Sequence, residues 1–271
     1  MTNSQSSQSQ NQTNKTHISY SEYKNWSECP WRHKLVYLDK IPYFSSNEYT
    51  AFGTAIHEVC EKMTLGRVQG PAQGKLLFEK SFDKELLEVT KQITEDVKEQ
   101  FVEQGKRIIP QIMPALKDHF GEFEVVAAEE ALYEPIEEFP EPDYKFKGYI
   151  DLVIKTPDNK YHVIDWKTCS WGWNFQKKTS PLTTYQLTLY KNYFVKKYDL
   201  DPKDVETYFI LLKRTAKRDN VEIYRVTSGT KKTQNAIKSL ERFVYNIKNN
   251  KPFKNRLSCK YCVFKNTENC P

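Results

Sequence analysis

The chain has 271 residues, of which 38% are hydrophobic, 28% charged and 14% aromatic, and its formal net charge is +6. This composition is typical of a soluble globular chain that can bury a core, and the modest positive charge fits a polyanionic partner without requiring one. No apolar run reaches the length of a membrane span, and the polar N-terminus does not resemble a signal peptide. These features argue against a membrane or secreted protein and favour a cytoplasmic one.

The first fifteen residues are almost entirely Ser, Gln, Asn and Thr. Such a segment cannot bury enough apolar surface to offset the entropy lost on ordering, so residues 1–16 are expected to form a disordered tail. The remainder, 17–271, is expected to fold as a single α/β domain, because helical patterns come first and strand patterns follow. It divides into a mainly helical part over 17–120, a core over 121–250 and a cysteine-rich tail over 251–271.

The periodicity of apolar residues predicts the individual elements. Ser19 and Glu22 fit a capping box that opens a short helix, and a second short helix follows Pro30. The other predicted helices cover 52–63, 75–104, 110–120, 182–197 and 228–248, and the predicted strands cover 123–133, 147–155, 161–166, 205–213 and 221–226.

Two of these strands form a predicted hairpin, because a loop of turn-forming residues over 156–160 joins them. If the hairpin folds symmetrically about Asp158, then Asp151 on the first strand lies opposite Asp165 on the second. Directly opposite residues place their Cβ atoms about 4.5–5.5 Å apart. Lys167 follows two residues after Asp165, so it shares that face of the sheet.

Two facing carboxylates repel each other unless a cation lies between them. Their hard oxygen ligands suit Mg²⁺ or Mn²⁺, which can activate water and polarise a phosphate. Lys167 could then orient or deprotonate the water, or neutralise the charge that develops on the phosphate. The alternative is a surface hairpin with two solvated aspartates and a lysine.

Other polar residues are candidates for the same site. His57, on the predicted helix over 52–63, could supply a nitrogen ligand, or it could be an ordinary core or surface histidine. Glu129 and Glu130 are neighbours on a strand, so only one of them can face the site, as a further metal ligand or in contact with one. The alternative is an ordinary solvated carboxylate. Gln186 and Tyr190 are four residues apart on a helix and share one face, where they could contact DNA phosphate or order the lysine.

The cysteines favour a metal site, since six cysteines without a secretory signal are more often ligands than disulfides. Cys259 and Cys262 form a C-x2-C pair, and Cys270 follows them. Cys29 is the best candidate for the fourth thiolate, because Cys60 falls on an apolar stripe and Cys169 lies close to the expected cation. Four thiolates suit Zn²⁺ or an iron–sulfur cluster, and spacing does not separate the two.

A loop over 171–178 combines aromatic and basic residues, including Trp171, Trp173, Lys177 and Lys178. Such a loop could stack nucleic-acid bases and bind phosphate, or it could simply tuck its aromatic rings onto the surface.

Taken together, these motifs resemble the PD-(D/E)xK nuclease superfamily, in particular the RecB-like branch that includes Cas4 and the AddB C-terminal nuclease. The resemblance runs from Ser19 to Cys270, and its strength lies in the order of several individually weak motifs. The motifs are the SYS segment that leads to CP at Cys29, GTAIH ending at His57, GYID ending at Asp151, IDWKT containing Asp165 and Lys167, QLTLY from Gln186 to Tyr190, and the terminal cysteines.

The resemblance implies a restriction-endonuclease-like core, in which a mixed sheet is flanked by helices and a four-cysteine cluster staples the chain. It implies Asp151, Asp165, His57 and the backbone carbonyl of Trp166 as metal ligands, with Lys167 as the catalytic lysine. By the same resemblance, Gln186 and Tyr190 match the family's Q-x-x-x-Y motif. The four cysteines implied as ligands of a [4Fe–4S] cluster are Cys29, Cys259, Cys262 and Cys270. The second acid is Asp165 where many relatives have Glu, and both residues can ligate a metal.

These expectations describe a metal-dependent DNA exonuclease that acts on single strands or duplex ends in recombination, repair or phage DNA metabolism. The chain lacks a Walker A motif, so no helicase motor accompanies the nuclease. Two alternatives stay open: a catalytically silent DNA-binding partner in recombination or CRISPR adaptation, and a zinc-stapled interaction protein. Assembly into a homo-oligomer, or with a recombination protein, is also left open by the sequence.

Overall fold

The computed structural model describes residues 17–43, 46–136 and 144–271. The predicted disordered tail over 1–16 therefore lies outside the described residues. The described residues form six strands, which are β1 (His17–Ser19), β2 (Glu124–Pro135), β3 (Lys145–Lys155), β4 (Tyr161–Cys169), β5 (Val205–Lys213) and β6 (Val221–Arg225). The helices in the same ranges are α1 (Tyr20–Glu28), α2 (Pro30–His33), α3 (Glu48–Thr64), α4 (Gly70–Leu86), α5 (Glu95–Phe120), α6 (Phe175–Thr179), α7 (Pro181–Tyr198) and α8 (Thr230–Lys248), with a π-helical turn over Lys34–Leu38 and 3₁₀ turns over Pro202–Asp204 and Arg256–Tyr261.

All six strands belong to one mixed sheet. The β3–β4 hairpin has the predicted register, since Leu152 pairs with Ile164 and Val153 with Val163. β2 runs antiparallel along the whole of β3, while β5 runs parallel to β4 and β6 antiparallel to β5. The sheet is therefore mixed, as the α/β expectation requires.

β3 has two different neighbours along its other edge. β1 pairs in parallel with Lys145 to Lys147, and β4 pairs with Leu152 to Lys155. Because β2 already occupies the opposite edge at both places, β1 and β4 lie on the same side of β3. Residues 148–151 lie between them, and no strand in the described part of the chain pairs with them on that side. We call this opening the sheet gap.

Helices cover both faces of the sheet, and each face has its own hydrophobic core. On one face, α3, α4 and α5 pack their apolar stripes against residues such as Leu152, Ile164 and Trp166. On the other face, α1, α7 and α8 pack against Phe146, Ile150 and Phe209. A mixed sheet flanked by helices in this way is consistent with a restriction-endonuclease-like core.

Two of the predicted helices have the wrong boundaries. The expected helix over 75–104 is two helices, α4 and α5, separated over 87–94, and the expected separate helix over 110–120 is the second half of α5. The sequence predicts a helix start at Pro110, but this residue lies inside α5. An interior proline is costly, yet the buried stripe of Ile108, Ile109 and Ile112 holds the helix together across it.

Close packing between α4 and α5 depends on Gly105. A Cβ atom at this position would lie 2.2 Å from the ring of Phe78, so only glycine lets the two helices approach this closely. No helix in the described part of the chain is both long and apolar enough to cross a membrane.

The two ends of the described chain are joined by hydrogen bonds. Trp31 N–H donates to the Phe253 carbonyl (3.0 Å) and its indole Nε1–H donates to the Asn269 carbonyl (2.9 Å). The Glu28 carbonyl accepts from Asn255 Nδ2 (2.8 Å) and from Ser258 Oγ (2.6 Å). The C-terminal segment therefore packs directly against the end of α1 and the start of α2.

Candidate active site in the sheet gap

The sheet gap opens where the side chain of Asp151 replaces a backbone partner. Asp151 Oδ2 accepts a hydrogen bond from the backbone N–H of Trp166 at 2.7 Å. The recorded β3–β4 pairing ends one residue before Asp151, at Leu152 and Ile164. The side chain thus satisfies a donor that the sheet would otherwise satisfy, and it fixes its own carboxylate at the edge of the gap.

The predicted pair of acids comes together with the predicted lysine. Lys167 Nζ lies 2.5 Å from Asp165 Oδ2, and Asp165 is only 2% exposed. Burial raises the pKa of Asp165 to about 6, although the Lys167 ammonium opposes the rise. Burial raises the pKa of Asp151 to about 6 as well, again against the effect of Lys167. Burial acts to lower the pKa of Lys167, but the two carboxylates outweigh it and raise that pKa.

His57 lies at the same site, on α3. Its Nδ1 is 3.7 Å from Asp151 Oδ2. Burial, assisted by the Lys167 charge, lowers the pKa of His57 to about 4. The imidazole is therefore neutral at physiological pH and has a lone pair available to a metal ion.

Gln186 and Tyr190 on α7 form the second layer around Asp165. Gln186 Nε2 donates to Asp165 Oδ1 at 2.7 Å and to the Tyr190 hydroxyl at 3.3 Å. With Lys167 on Oδ2, both oxygens of Asp165 are engaged. The predicted pairing of Gln186 and Tyr190 on one helix face is present, and its role here is to orient a carboxylate.

Gly148 explains how Tyr190 reaches the gap. A Cβ atom at this position would lie 2.7 Å from Tyr190 Cε1, so any side chain would displace the tyrosine ring. The backbone N–H of Tyr149, the next residue, interacts with the Tyr190 hydroxyl. Gly148 is required for this close approach and not for its backbone conformation.

Glu129 and Glu130 diverge as strand geometry requires. Glu130 binds Lys197 Nζ at 2.5 Å and accepts from the Tyr198 hydroxyl at 2.6 Å, so it is engaged with α7. Glu129 lies in register with Asp151, because its neighbours Ala128 and Glu130 pair with Leu152 and Ile150. Burial raises the pKa of Glu129, as do Glu61 and Asp165, which places this carboxyl near the acids.

The backbone at Glu129 has a φ of 53°, in the left-handed region that non-glycine residues seldom adopt. Strained backbone of this kind concentrates at functional sites. Glu129 is therefore the member of the pair that faces the site, a choice that sequence alone did not make.

Tyr20 is a residue near the site that the sequence did not single out. Its buried hydroxyl donates to the Leu182 carbonyl at 2.7 Å, in the first turn of α7, and it also interacts with the backbone N–H of Gln186. Nothing in the spacing of Tyr20 distinguishes it from a core residue of α1, so only the packing of α1 against α7 reveals this contact.

The donor set at the gap fits a divalent cation. Two buried carboxylates whose pKa values are raised by burial, together with a neutral imidazole, are groups that gain stability from a shared positive charge. Among the described residues no three His, Cys, Asp or Glu side chains stand in an arrangement that already encloses a metal ion. The role of the Trp166 carbonyl as a ligand stays a prediction.

The four cysteines of the predicted cluster line one cavity of about 380 Å³. Cys29 is buried, and its Sγ accepts from Asn255 N–H at 3.5 Å; Cys259, Cys262 and Cys270 are half-buried. Cys60 lies on the buried face of α3, in the core, and Cys169 lies at the end of β4, as expected. The cysteines therefore share a cavity, but no closed metal-binding group of three is present in the described ranges.

The family model of the PD-(D/E)XK nuclease superfamily matches residues 17–267. The chain belongs to this superfamily. The match spans the sheet, the flanking helices and the gap, and the assignment of Asp151, Asp165 and Lys167 to the family's acids and lysine stays a prediction. Nucleases of this superfamily typically use divalent metals such as Mg²⁺ or Mn²⁺, in agreement with the donor set.

Comparison with solved structures supports the shared fold. The crystal structure of a "Putative exonuclease" from Eubacterium rectale matches 97% of this chain and 92% of its own at 14% identity, with a TM-score of 0.58. The crystal structure of SSO0001 matches 92% of this chain and 84% of its own at 14% identity, but its TM-score of 0.43 is too low to carry an argument. No curated protein sequence matches the chain.

Proposed function

We propose that this PD-(D/E)XK protein is a metal-dependent deoxyribonuclease. We further propose that it is an exonuclease of the RecB-like and Cas4-like kind, hydrolysing phosphodiester bonds of single strands or duplex ends in recombination, repair or phage DNA metabolism. The observation that carries the proposal is the convergence of Asp151, Asp165, His57 and Lys167 in the sheet gap. Buried acids with raised pKa values beside a lysine are costly for stability alone and useful for chemistry.

In the proposed mechanism, Asp151, Asp165 and His57, with the Trp166 carbonyl, would hold Mg²⁺ or Mn²⁺, which supplies a Lewis acid for the phosphate and lowers the pKa of water. Lys167 places its ammonium group beside Asp165, where it can orient the attacking water or stabilise charge that develops on the phosphate oxygens. Gln186 keeps the Asp165 carboxylate in one orientation.

The test is digestion of end-labelled single-stranded and double-stranded DNA in the presence of Mg²⁺ or Mn²⁺. Lys167→Ala should reduce the cleavage rate by roughly 10²-fold or more, because one stabilising donor of the transition state is lost. Asp158→Asn is the matched control, since it changes an aspartate at the turn of the same hairpin without touching the gap. Full activity in both Lys167→Ala and Asp151→Asn would refute the assignment, as would cleavage that EDTA does not inhibit.

We also propose that Cys29, Cys259, Cys262 and Cys270 hold a [4Fe–4S] cluster, with Zn²⁺ as the alternative occupant. Their position around one cavity supports this proposal. When bound, the cluster would join the C-terminal segment to the start of α2 and add no chemistry at the sheet gap.

Metal analysis of protein purified without oxygen tests the cluster. A brown protein with absorbance near 400 nm and about four irons per chain would support it, and colourless protein with one zinc would replace iron by zinc. Cys262→Ser should lower the metal content, whereas Cys60→Ser should leave it unchanged because Cys60 lies on the buried face of α3, away from this cavity. Wild-type protein that contains neither iron nor zinc would remove the proposal.

A further inference from the structure

The segment over 170–180, which follows β4 directly, exposes two large aromatic side chains. Trp171 is 72% exposed and Phe175 is 78% exposed. Isolated exposed aromatic side chains are common, but two of them within five residues, beside a candidate active site, form an apolar surface that calls for a functional explanation. The predicted loop over 171–178 is a loop only in its first half, because Phe175–Thr179 form α6. We call the whole segment over 170–180 the aromatic loop.

The aromatic loop is anchored from below, so its exposed rings are held in place. Trp173 packs its ring against Phe209 with 5.1 Å between the ring centroids. Lys178 forms an ion pair with Glu222, and its carbonyl accepts from the Tyr224 hydroxyl at 3.2 Å. Since the anchoring residues alternate with Trp171 and Phe175, the loop presents these two rings outward on a fixed base.

The same packing connects the loop to the catalytic lysine. Lys167 Nζ lies 5.9 Å from the centroid of the Phe209 ring, against which Trp173 also packs. Lys177 Nζ lies 4.6 Å from the centroid of the Trp173 ring. Two aromatic rings in contact, Trp173 and Phe209, therefore link Lys177 to Lys167, which pairs with Asp165.

Lys177 carries a charge that no carboxylate balances in the described part of the chain. Burial lowers its pKa, and the positive charges of Lys24 and Lys167 lower it further. Lys24 likewise forms no ion pair with a described carboxylate. Two ammonium groups that are not paired with a carboxylate are complementary to an anion, and phosphate is the anion of the proposed substrate.

We propose that the aromatic loop binds the unpaired strand of a DNA end, with bases stacked on Trp171 and Phe175 and a backbone phosphate at Lys177. Unpaired bases offer free faces for stacking, whereas the bases of a duplex are already stacked on one another. The loop thus makes the enzyme prefer single strands or frayed ends. This inference rests on the proposed nuclease function, which it refines by naming the form of the substrate.

Binding measured without catalysis tests the loop apart from the nuclease. A fluorescent oligothymidine and a blunt-ended duplex are titrated with full-length protein in EDTA. Trp171→Ala combined with Phe175→Ala should weaken binding of the single strand by roughly tenfold or more, given typical base-stacking contributions, and should change duplex binding much less. Equal losses for both DNAs, or no loss for either, would overturn the proposal.

Two matched variants show whether a nucleic-acid base or an apolar protein surface binds to Trp171. Trp171→Phe keeps an aromatic face and should retain most of the single-strand affinity, while Trp171→Leu keeps only the apolar character and should lose it. Equal affinity in the Phe and Leu variants would overturn the proposal, since it would point to an apolar protein contact. Tyr245→Ala is the control on α8, because Tyr245 is also exposed, at 52%, with Lys251 Nζ at 5.5 Å from its ring centroid.

The phosphate contact has its own measurement. Lys177→Gln should reduce the slope of log affinity against log salt for the single strand by about 0.7, the value for one phosphate contact on single-stranded nucleic acid. An unchanged slope would remove Lys177 from the site. If the wild-type protein binds through Trp171 but cleaves nothing, the nuclease proposal fails and the loop proposal survives. If the protein cleaves DNA but its binding does not depend on the loop, the nuclease proposal survives and the loop proposal fails.

Discussion

The carboxylate of Asp151 accepts a hydrogen bond from the backbone N–H of Trp166 at 2.7 Å. This bond lies where the strand pairing ends, and it holds the same carboxylate, a candidate metal ligand, in place. The contact joins the two strands that carry the acids. Because Asp151 has a structural role and a proposed chemical one, its substitutions should separate the two.

Asp151→Ala should lower the free energy of unfolding by about 1–3 kcal/mol, because it leaves the Trp166 N–H without an acceptor. Asp151→Asn keeps an oxygen that can accept this hydrogen bond and removes a buried charge, so its stability at pH 7.5 should equal or exceed that of the wild type. Both variants should lose nuclease activity. Urea unfolding measures the stabilities, and equal stability of the Ala and Asn variants would contradict the role of the hydrogen bond.

Binding of Mn²⁺ should weaken as the pH falls below about 6. The pKa values of Asp151 and Asp165 are raised to about 6 by burial, so both groups are ionised and ready to bind a cation above this pH. Below it they are protonated, and each ion bound must displace protons. The pKa of His57, lowered to about 4, keeps the imidazole neutral throughout this range.

Isothermal titration with Mn²⁺ at pH 7.5 and pH 5.0 measures this dependence. The affinity should fall by at least tenfold between the two values, with little proton release on binding at pH 7.5 and clear proton release to the buffer at pH 5.0. The thermal stabilisation caused by Mn²⁺ should shrink in parallel. An affinity that is the same at both pH values would mean that the two acids do not bind the ion.

Gly148→Ala should damage the site and the fold together. Its new Cβ atom would lie 2.7 Å from Tyr190 Cε1, so the tyrosine must move away from Gln186. We expect a loss of about 1–3 kcal/mol in stability, as for other overpacked positions, with a lower cleavage rate. Gly53→Ala is the control for stability, because its Cβ atom would meet its nearest neighbour at an ordinary 3.7 Å. Equal effects of the two variants would argue against the close approach of Tyr190.

Tyr20→Phe should reduce kcat while leaving KM nearly unchanged. The Tyr20 hydroxyl binds the first turn of α7 and interacts with the backbone of Gln186, whose side chain orients Asp165. Tyr23→Phe is the matched control: Tyr23 is also buried on α1, but its hydroxyl contacts Ser239 on α8 at 2.8 Å. If both variants lose stability and activity to the same extent, Tyr20 has a structural role only.

The hairpin and its acids were predictable from sequence because a strand repeats every two residues. Once the turn is placed near Asp158, the positions of Asp151, Asp165 and Lys167 follow from counting. The observed pairing of Leu152 with Ile164 confirms that register. The convergence of His57 and Gln186 could not be obtained in this way, because it depends on how α3 and α7 pack against opposite faces of the sheet.

The missed features depend on contacts between distant residues. β1 is only three residues long, and its pairing with β3 is not visible in so short a segment. The boundary between α4 and α5 was misplaced because Pro110 is tolerated inside a helix whose buried side is strongly apolar. The choice of Glu129 over Glu130 required the backbone conformation itself.

The hydrogen bonds between the C-terminal segment and the start of α2 have a consequence for the order in which the chain can fold. Asn255 and Ser258 bind Glu28 across 227 and 230 positions of the chain, and Asn269 binds Trp31 across 238. Closing loops of this length is slow, so these contacts form after the local turns of α1. The end of α1, the helix that carries Tyr20 at its start, is therefore fully supported only when these distant segments have met.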